Sequence, residues 1–213
     1  MKNKFSDIRN DYGNRTLVES EMPSDPIWLT QDWLNEAINE GLYEPTAITL
    51  STIDLDGYPT SRIVLLKSIL NSKFIFFSNY NSAKAKELEN LSNAGILFFW
   101  PQLHRQIRIT GKVKKISELQ SEAYFNERPE ESKIGAWASA QSEPIKDRDF
   151  LESSYNYYKK KFNNQMIPRP EFWGGYELEP VGFEFWQGRS KRLHDRLVYR
   201  KNDRAWGIER LAP

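Results

Sequence analysis

The sequence predicts an α+β fold: a closed or half-closed antiparallel barrel with helices inserted between its strands. Three observations carry the prediction. Seven or eight short segments either alternate apolar and polar residues or run apolar between turn signals. Helical periods fall between them; the clearest is Leu151, Tyr155, Tyr158 and Phe162, at i, i+4, i+7 and i+11. No repeat, linker or low-complexity segment divides the 213 residues, so residues 1–213 read as a single domain with a sizeable core.

Residues 1–25 are polar, carry Pro23, and read as a mobile N-terminal arm with little core of its own. Thr30 or Asp32 caps a helix running to Gly41, with Trp33, Leu34, Ala37 and Ile38 as its apolar stripe. Ala47 to Ile53 alternates as a strand, and Asp54-Leu-Asp-Gly57 turns the chain. The return strand holds Ser61 to Lys67, and Lys73 to Ser78 completes a three-stranded meander. Ser82 caps a helix over Ala83 to Asn90, with Leu88 and Leu91 inward. Ala94 to Trp100 is an apolar strand. In Arg105 to Ile116, Ile107, Ile109, Gly111 and Val113 share one face, with a bulge signalled at Gly111. Ser117-Glu-Leu-Gln120 is a capping box opening a helix to Asn126. A second helix follows Arg128-Pro129 through Trp137, and a third runs from Asp147 to Phe162. Two strands over 172–187 and a hairpin, Leu197 to Lys201 and Ala205 to Arg210, close the chain with a turn at Asn202-Asp203.

Composition excludes several chemistries. Lys plus Arg number 30 against 29 Asp plus Glu, which disfavours a nucleic-acid binder. No Cys occurs, which removes disulfides, thiolate catalysis, iron–sulfur clusters and zinc ribbons. Two His are too few for a His-based metal site, so no metal is expected. The N-terminus has no apolar stretch of signal type and no run reaches membrane-spanning length, so a cytoplasmic location is the default.

The residues that carry chemistry converge on Val181 to Arg196. Between Gly188 and Arg204 stand seven Lys or Arg against two Asp, after a strand bearing Phe183, Phe185 and Trp186. A charge run alone is a solvated hairpin. Trp186, Arg192, His194 and Arg196 within eleven residues favour a site for a small, flat, phosphorylated ligand: rings stack, guanidinium groups grip phosphate, and one His handles a proton. Arg192 and His194 flank Leu193 and, in an extended segment, project to one side. Arg62-Ile-Val-Leu-Leu-Lys67 puts cations at both ends of an apolar strand, on opposite faces. Ser78 to Lys84 leads from a strand into a helix start, a plausible phosphate seat. Tyr124, Arg128 and Ser132, each four apart, form another candidate anion site. Gln106 and Gln141 offer donor and acceptor to a heteroaromatic edge. No nucleophile elbow accompanies His194-Asp195, so acyl transfer is discounted. The glycine-rich loops of nucleotide triphosphate and NAD binding are also missing.

Taken together, these pieces resemble the FMN-dependent pyridoxamine/pyridoxine 5′-phosphate oxidases from about Arg9 to Pro213. The most specific are Arg-Ile-Val-Leu-Leu-Lys (62–67), Ile-Gly-Ala-Trp-Ala-Ser (134–139), Phe-Trp-Gly-Gly (172–175), Phe-Trp-Gln-Gly (185–188), Arg-Leu-His-Asp-Arg (192–196) and Glu-Arg-Leu-Ala-Pro (209–213). The resemblance implies an antiparallel split β-barrel with peripheral helices, a homodimer with FMN at the subunit interface. It implies FMN contacts from Arg62, Ile63, Val64, Leu65, Leu66, Lys67, Phe77, Ser78, Lys84, Gln106, Gln141, Ser142, Trp186 and Arg196. It implies substrate contacts from Lys67, Tyr124, Arg128, Ser132, Arg192, Leu193 and His194, with Arg9 and Tyr12 matching an N-terminal Arg-x-x-Tyr. The expected reaction is oxidation of the amine or alcohol substrate to pyridoxal 5′-phosphate by hydride transfer from C4′ to the flavin, O2 being reduced to H2O2. Arg192 and His194 are the expected catalytic pair. Two departures stand out: Ala83 where the family usually has Arg, and Phe77 where it usually has Tyr. A reductase on the same barrel, or a non-catalytic flavin or pyridoxal phosphate carrier, are the alternatives.

Overall fold

The computed structural model describes residues 12–13, 15–202 and 205–213. Its helices are α1 (Pro26–Asn39), α2 (Ala83–Asn90), α3 (Glu118–Glu127), α4 (Glu130–Ala138) and α5 (Arg148–Lys161). Its strands are β1 (Ala47–Ile53), β2 (Pro59–Leu65), β3 (Ser68–Leu70), β4 (Lys73–Asn79), β5 (Asn93–Trp100), β6 (Arg105–Lys115), β7 (Trp173–Gln187), β8 (Asp195–Asn202) and β9 (Ala205–Leu211). The strands hydrogen-bond in the order β2-β1-β5-β6-β7-β4-β3, with β8 on β7 and β9 on β8, as one nine-stranded sheet. The β3–β4, β4–β7, β7–β8 and β8–β9 pairs are antiparallel. The class is α+β, as the sequence predicts. Among the described residues no helix is long and apolar enough to cross a membrane.

Local chemistry explains where the elements differ from expectation. Helix α1 starts at Pro26, not after Thr30: Asp25 accepts the Ile27 N–H at 2.9 Å, and Pro26 fills the first helical position, where no N–H is needed. Thr30 is buried inside the helix with its hydroxyl on the Pro26 carbonyl, 2.9 Å away. The expected meander is not formed. Asn71 and Ser72, both at positive φ, fold β3 back on β4 from Ser68↔Ile75 to Leu70↔Lys73, and β4 takes β7 on its other edge. Strand β2 therefore lies at the opposite end of the strand order. The two strands expected over 172–187 are one, β7. Pro180 lies between its ladder with β4, which ends at Leu178, and its ladder with β8, which begins at Gly182, so the missing N–H interrupts neither. Leu91 is exposed past the end of α2, while Leu88 is buried.

The chain packs as two compact units. One comprises Met1–Thr49, Gly95–Thr110 and Pro180–Pro213; the other comprises Leu50–Ala94 and Gly111–Glu179. In the first, Trp33 of α1 sets its ring edge-on to Phe185, and the Arg105 guanidinium lies over the Trp33 ring at 4.3 Å. Arg105 also pairs with Glu36 at 2.5 Å. Within the stretch expected as an arm, Leu17 is buried and donates its N–H to Asp195 at 3.1 Å. Arg210 grips Asp195 at 2.6 Å, Glu19 at 2.5 Å and the Leu17 carbonyl at 2.6 Å.

In the second unit, Phe125, Ile134, Phe162, Ile167 and Trp173 form a core against which Tyr155 and Tyr158 of α5 pack. With Phe162, these two tyrosines are three of the four residues of the stripe read from the sequence; Leu151 is not among the residues of this core. The capping box of α3 is present, with Ser117 and Gln120 bonded reciprocally. Gly111 answers a close approach: a Cβ there meets the Glu179 carbonyl oxygen of β7 at 2.3 Å.

Candidate functional site

A cavity of about 920 Å³ opens in the second unit. Its wall takes Arg62, Ile63, Val64 and Leu65 from β2, Lys67 from the link to β3, Phe77 and Ser78 from β4, and Lys84 from α2. Tyr124 of α3, Arg128, Ser132 of α4, Gln141 and Trp173 close it. The placement has simple causes. Strand β2 ends at Leu65, so the alternation that would send Lys67 to the face opposite Arg62 stops short of it. The Lys67 N–H instead bonds the Ile75 carbonyl at 2.8 Å, and Arg62 and Lys67 line the same cavity. Pro129 separates α3 from α4, yet Tyr124, Arg128 and Ser132 still meet, with Arg128 Nη2 donating to the Ser132 carbonyl at 3.0 Å.

Two groups of polar side chains stand out. In the first, Lys84 Nζ donates to Gln141 Oε1 at 2.9 Å and to Ser78 Oγ and Ser82 Oγ at 3.2 Å each. These partners are uncharged. Burial, followed by the nearby Arg62 charge, pulls the Lys84 amine below its ordinary pKa, against a smaller raising effect of Glu87. Ser82 precedes α2 but does not cap it by side chain; its hydroxyl donates to the Asn79 carbonyl at 2.7 Å. In the second group, the Arg128 guanidinium lies 4.4 Å from the Trp173 ring centroid, and its Nη1 is buried with no hydrogen-bond partner among the described residues. Burial lowers its pKa, though a guanidinium stays charged. A buried donor left unpaired costs about 1–3 kcal/mol, so Nη1 marks a place where an acceptor is wanted.

Behind these lies an aromatic wall. Phe77 stacks on Tyr124 at 3.9 Å and on Trp173 at 5.4 Å, with the planes within 23° and 12°. The Phe77 ring makes these contacts without the hydroxyl that Tyr would bring.

Of the remaining expected site residues, all but Leu66 and Ser142 belong to the first unit. Trp186 and Arg196 face each other across the β7–β8 ladder. Arg196 donates to Glu184 and to the Ala212 carbonyl, both at 2.9 Å. Trp186 packs on His194 at 4.8 Å, and the Tyr12 ring stands edge-on to both, at 5.8 and 5.4 Å. His194 Nδ1 accepts the Arg189 N–H at 3.0 Å, so the neutral ring carries its proton on Nε2. Burial, then the Arg192 charge, lowers the His194 pKa. The segment before it is not extended as expected. Ser190–Arg192 forms a 3₁₀ turn with Lys191 and Arg192 at positive φ, which leaves Arg192 and Leu193 exposed. Gln106 is half-buried on β6. Leu66 is buried and Ser142 is exposed at φ 72; neither lines the cavity. Arg9 lies outside the described residues.

Sequence reasoning missed the support behind Arg62. Glu87 of α2, Thr52 of β1 and Thr60 of β2 surround its guanidinium. In Ala-Lys-Ala-Lys-Glu-Leu-Glu-Asn, Glu87 looks like one more solvated helix charge, and no local pattern marks it as buried. Trp173 could have been found, since it lies in one of the six quoted motifs.

Comparison with known proteins agrees with this layout. Residues 34–161 match a family model described as pyridoxamine 5′-phosphate oxidase, and residues 173–213 match one for the pyridoxine 5′-phosphate oxidase C-terminal dimerisation region. The chain belongs to the pyridoxamine 5′-phosphate oxidase family. Relatives of that family are similar end to end. A pyridoxine/pyridoxamine 5′-phosphate oxidase of Acaryochloris marina is 47% identical over 209 residues, covering 98% of this chain and 95% of the relative. One of Microcystis aeruginosa is 48% identical over 214 residues, covering 100% of both. Among solved structures, PhzG from Burkholderia lata 383, in complex with tetrahydrophenazine-1-carboxylic acid, superposes with a TM-score of 0.87 at 32% identity, covering 93% of this chain and 98% of that one. A pyridoxamine 5′-phosphate oxidase-related, FMN-binding protein of Nostoc punctiforme gives a TM-score of 0.71 at 20% identity, covering 90% and 100%, which bears on the fold alone. The family's fold is the α+β split barrel that the sequence predicts.

Proposed function

We propose that this chain oxidises pyridoxamine 5′-phosphate and pyridoxine 5′-phosphate to pyridoxal 5′-phosphate, with FMN as cofactor and O2 as final electron acceptor. The observation that carries the reading is the second-unit cavity, whose wall holds Arg62, Lys67, Lys84 and Arg128 against one carboxylate, Glu127. Such a wall suits ligands with dianionic phosphate groups, and its volume is in the range of cofactor sites. Two phosphates are to be accommodated, one on FMN and one on the substrate, and the cavity has two sets of donors. The residues fit the cofactor: Lys84, Ser78 and Gln141 offer an ammonium, a hydroxyl and an amide at one place, with Arg62 adding charge. Tyr124, Arg128, Ser132 and Lys67 are the candidates for the substrate phosphate, with the unpaired Arg128 Nη1 as the donor that a phosphate oxygen satisfies.

FMN, when bound, supplies the electron-accepting chemistry. The chain's own part is to bind, orient and polarise. The stacked rings of Phe77, Tyr124 and Trp173 keep a dry, rigid flank. Arg192, exposed on its turn, is the cation available to hold the substrate and stabilise developing charge. His194, neutral with its proton on Nε2, acts as a hydrogen-bond donor toward the substrate. The match at residues 173–213 to a dimerisation region supports a homodimer, and the Cys-free composition suits a cytoplasmic setting.

The test is a visible spectrum of the FMN-loaded protein before and after anaerobic addition of pyridoxine 5′-phosphate. Bleaching of the flavin band, restored by air, is the expected result. A band that stays unbleached by this substrate but is bleached by NADPH means a reductase. A band that neither bleaches means a carrier.

A further inference from the structure

Arg62 lines the cavity, yet its terminal nitrogens are already engaged. Nη1 donates to Thr52 Oγ1 and to the Leu50 carbonyl, the latter at 3.3 Å. Nη2 donates to Thr60 Oγ1 at 2.7 Å and to Glu87 Oε2 at 2.9 Å. Four N–H groups on the two nitrogens meet four acceptors, and only Nε–H is left without a partner among the described residues. The same Glu87 oxygen accepts from Thr52 and, at 2.9 Å, from Thr60. One carboxylate oxygen on α2 therefore ties β1, β2 and the guanidinium together. Glu87 does not line the cavity; it stands behind Arg62 with 8% of its side chain exposed.

The geometry points to Glu87 as a positioning residue of the phosphate seat: it accepts from Arg62 Nη2 directly and orients the Thr52 and Thr60 hydroxyls that accept from Nη1 and Nη2, so that Arg62 meets an anion through its Nε–H edge and its charge. Lys84, whose partners are uncharged, is then the primary phosphate ligand of that seat. This inference rests on the proposed binding of FMN. The protonation states agree with it. Burial pushes the Glu87 carboxyl up, but the hydrogen bonds from Thr52 and Thr60 and the Arg62 charge outweigh burial and hold it ionised. An acceptor at Oε2 is what the network uses; Oε1 receives no donor among the described residues, so an amide NH2 in its place displaces no hydrogen bond.

The experiment titrates apo-protein with FMN and, separately, with riboflavin, following the quenching of flavin fluorescence, for the parent and for Glu87→Gln, Glu87→Asp and Glu87→Ala. Gln keeps the reach and an acceptor oxygen; Asp keeps the charge and loses the reach. The expected order is Gln within about threefold of the parent for FMN, and Asp and Ala weaker by roughly tenfold or more, the loss of one charge-assisted hydrogen bond. Riboflavin, which has no phosphate, binds all four proteins alike. Glu87→Asp keeps the test open if Glu87→Ala does not fold. Three results overturn the inference: Asp binding like the parent while Gln loses affinity, all variants within twofold, or FMN and riboflavin weakening together. A parent protein that does not bind FMN overturns the proposed cofactor instead, and the two failures are told apart by the parent titration alone.

Discussion

Replacing Gly111 by Ala tests whether the contact of β6 with β7 is as close as it looks. The added Cβ would stand 2.3 Å from the Glu179 carbonyl oxygen, 2.9 Å from the Glu179 carbonyl carbon and 2.7 Å from Leu178 Cδ2. The first is more than an ångström inside van der Waals contact, and two of the three atoms are backbone, which no rotamer change relieves. Overpacking of this kind costs about 2–3 kcal/mol. For a chain of this size that corresponds to a fall in Tm of roughly 5–10 °C. Gly135→Ala is the matched control. A Cβ there meets nothing within 4 Å, and Gly135 lies inside α4. Ala is favoured over Gly in a helix by about 0.5–1 kcal/mol, so this variant should melt about 2 °C higher. Thermal melts of the apo-protein by circular dichroism, with urea unfolding to obtain free energies, decide the matter. A Gly111→Ala protein within 2 °C of the parent, as a rough limit on the scale above, would falsify the close approach. So would equal destabilisation by both changes, because the steric reasoning requires opposite signs.

Other expectations follow from charge and hydrogen bonding. Lys84→Met should weaken FMN by roughly tenfold to a hundredfold without lowering apo-protein stability, since a buried ammonium with uncharged partners is removed; equilibrium titration and a melt check both halves. Because the Lys84 pKa is depressed in the fold, the unfolded chain holds the extra proton between the folded pKa and 10.5, and this group makes stability rise with pH across that window. FMN affinity falls over the same window, which a titration at several alkaline pH values reads. Arg192→Ala should depress turnover more than FMN content, measured by steady-state rate against flavin absorbance; equal loss of both would count against its placement at the substrate. Asp195 gives the opposite pH sign. Burial raises its pKa, but the Leu17 N–H and the Arg189 and Arg210 side chains together bring it below 3.8, so its stabilisation is present above the unfolded pKa and lost as pH falls through the folded one. Tm should drop on acidification below pH 4, about the unfolded pKa, and Asp195→Asn should show a smaller drop.

Much of this was readable from short-range chemistry. The capping box of α3, the strand alternation of β1 and β6 and the stripe of α5 depend on residues within a few positions of one another, and the structure reproduces them. The meander failed because strand partners are chosen by long-range pairing: β4 bonds Trp173 to Leu178, about a hundred residues on, rather than β2. Periodicity carries no signal for that choice. The site divides in the same way. Arg62, Lys67, Lys84, Tyr124, Arg128, Ser132 and Gln141 were legible as types of side chain that bind phosphate and rings, and they share a cavity. Glu87 was not, because its burial is imposed by Thr52 and Thr60 of two other elements. Nor was the turn at Lys191 and Arg192, whose positive φ values no Gly announces.

The division of the chain into two units also has a consequence for its synthesis. The cavity-bearing unit uses residues between Leu50 and Glu179, so all of its sequence exists while Pro180–Pro213 are still to be made. The other unit joins the first residues to the last. Leu17 waits for Asp195, 178 positions later, and Glu19 waits for Arg210, 191 positions later. Contacts so distant in sequence form slowly and late. During translation the cavity-bearing half can therefore settle first, while Leu17 stays undocked until the closing strands emerge. A chain released after Glu179 would show a protease the segment around Leu17 and spare the cavity.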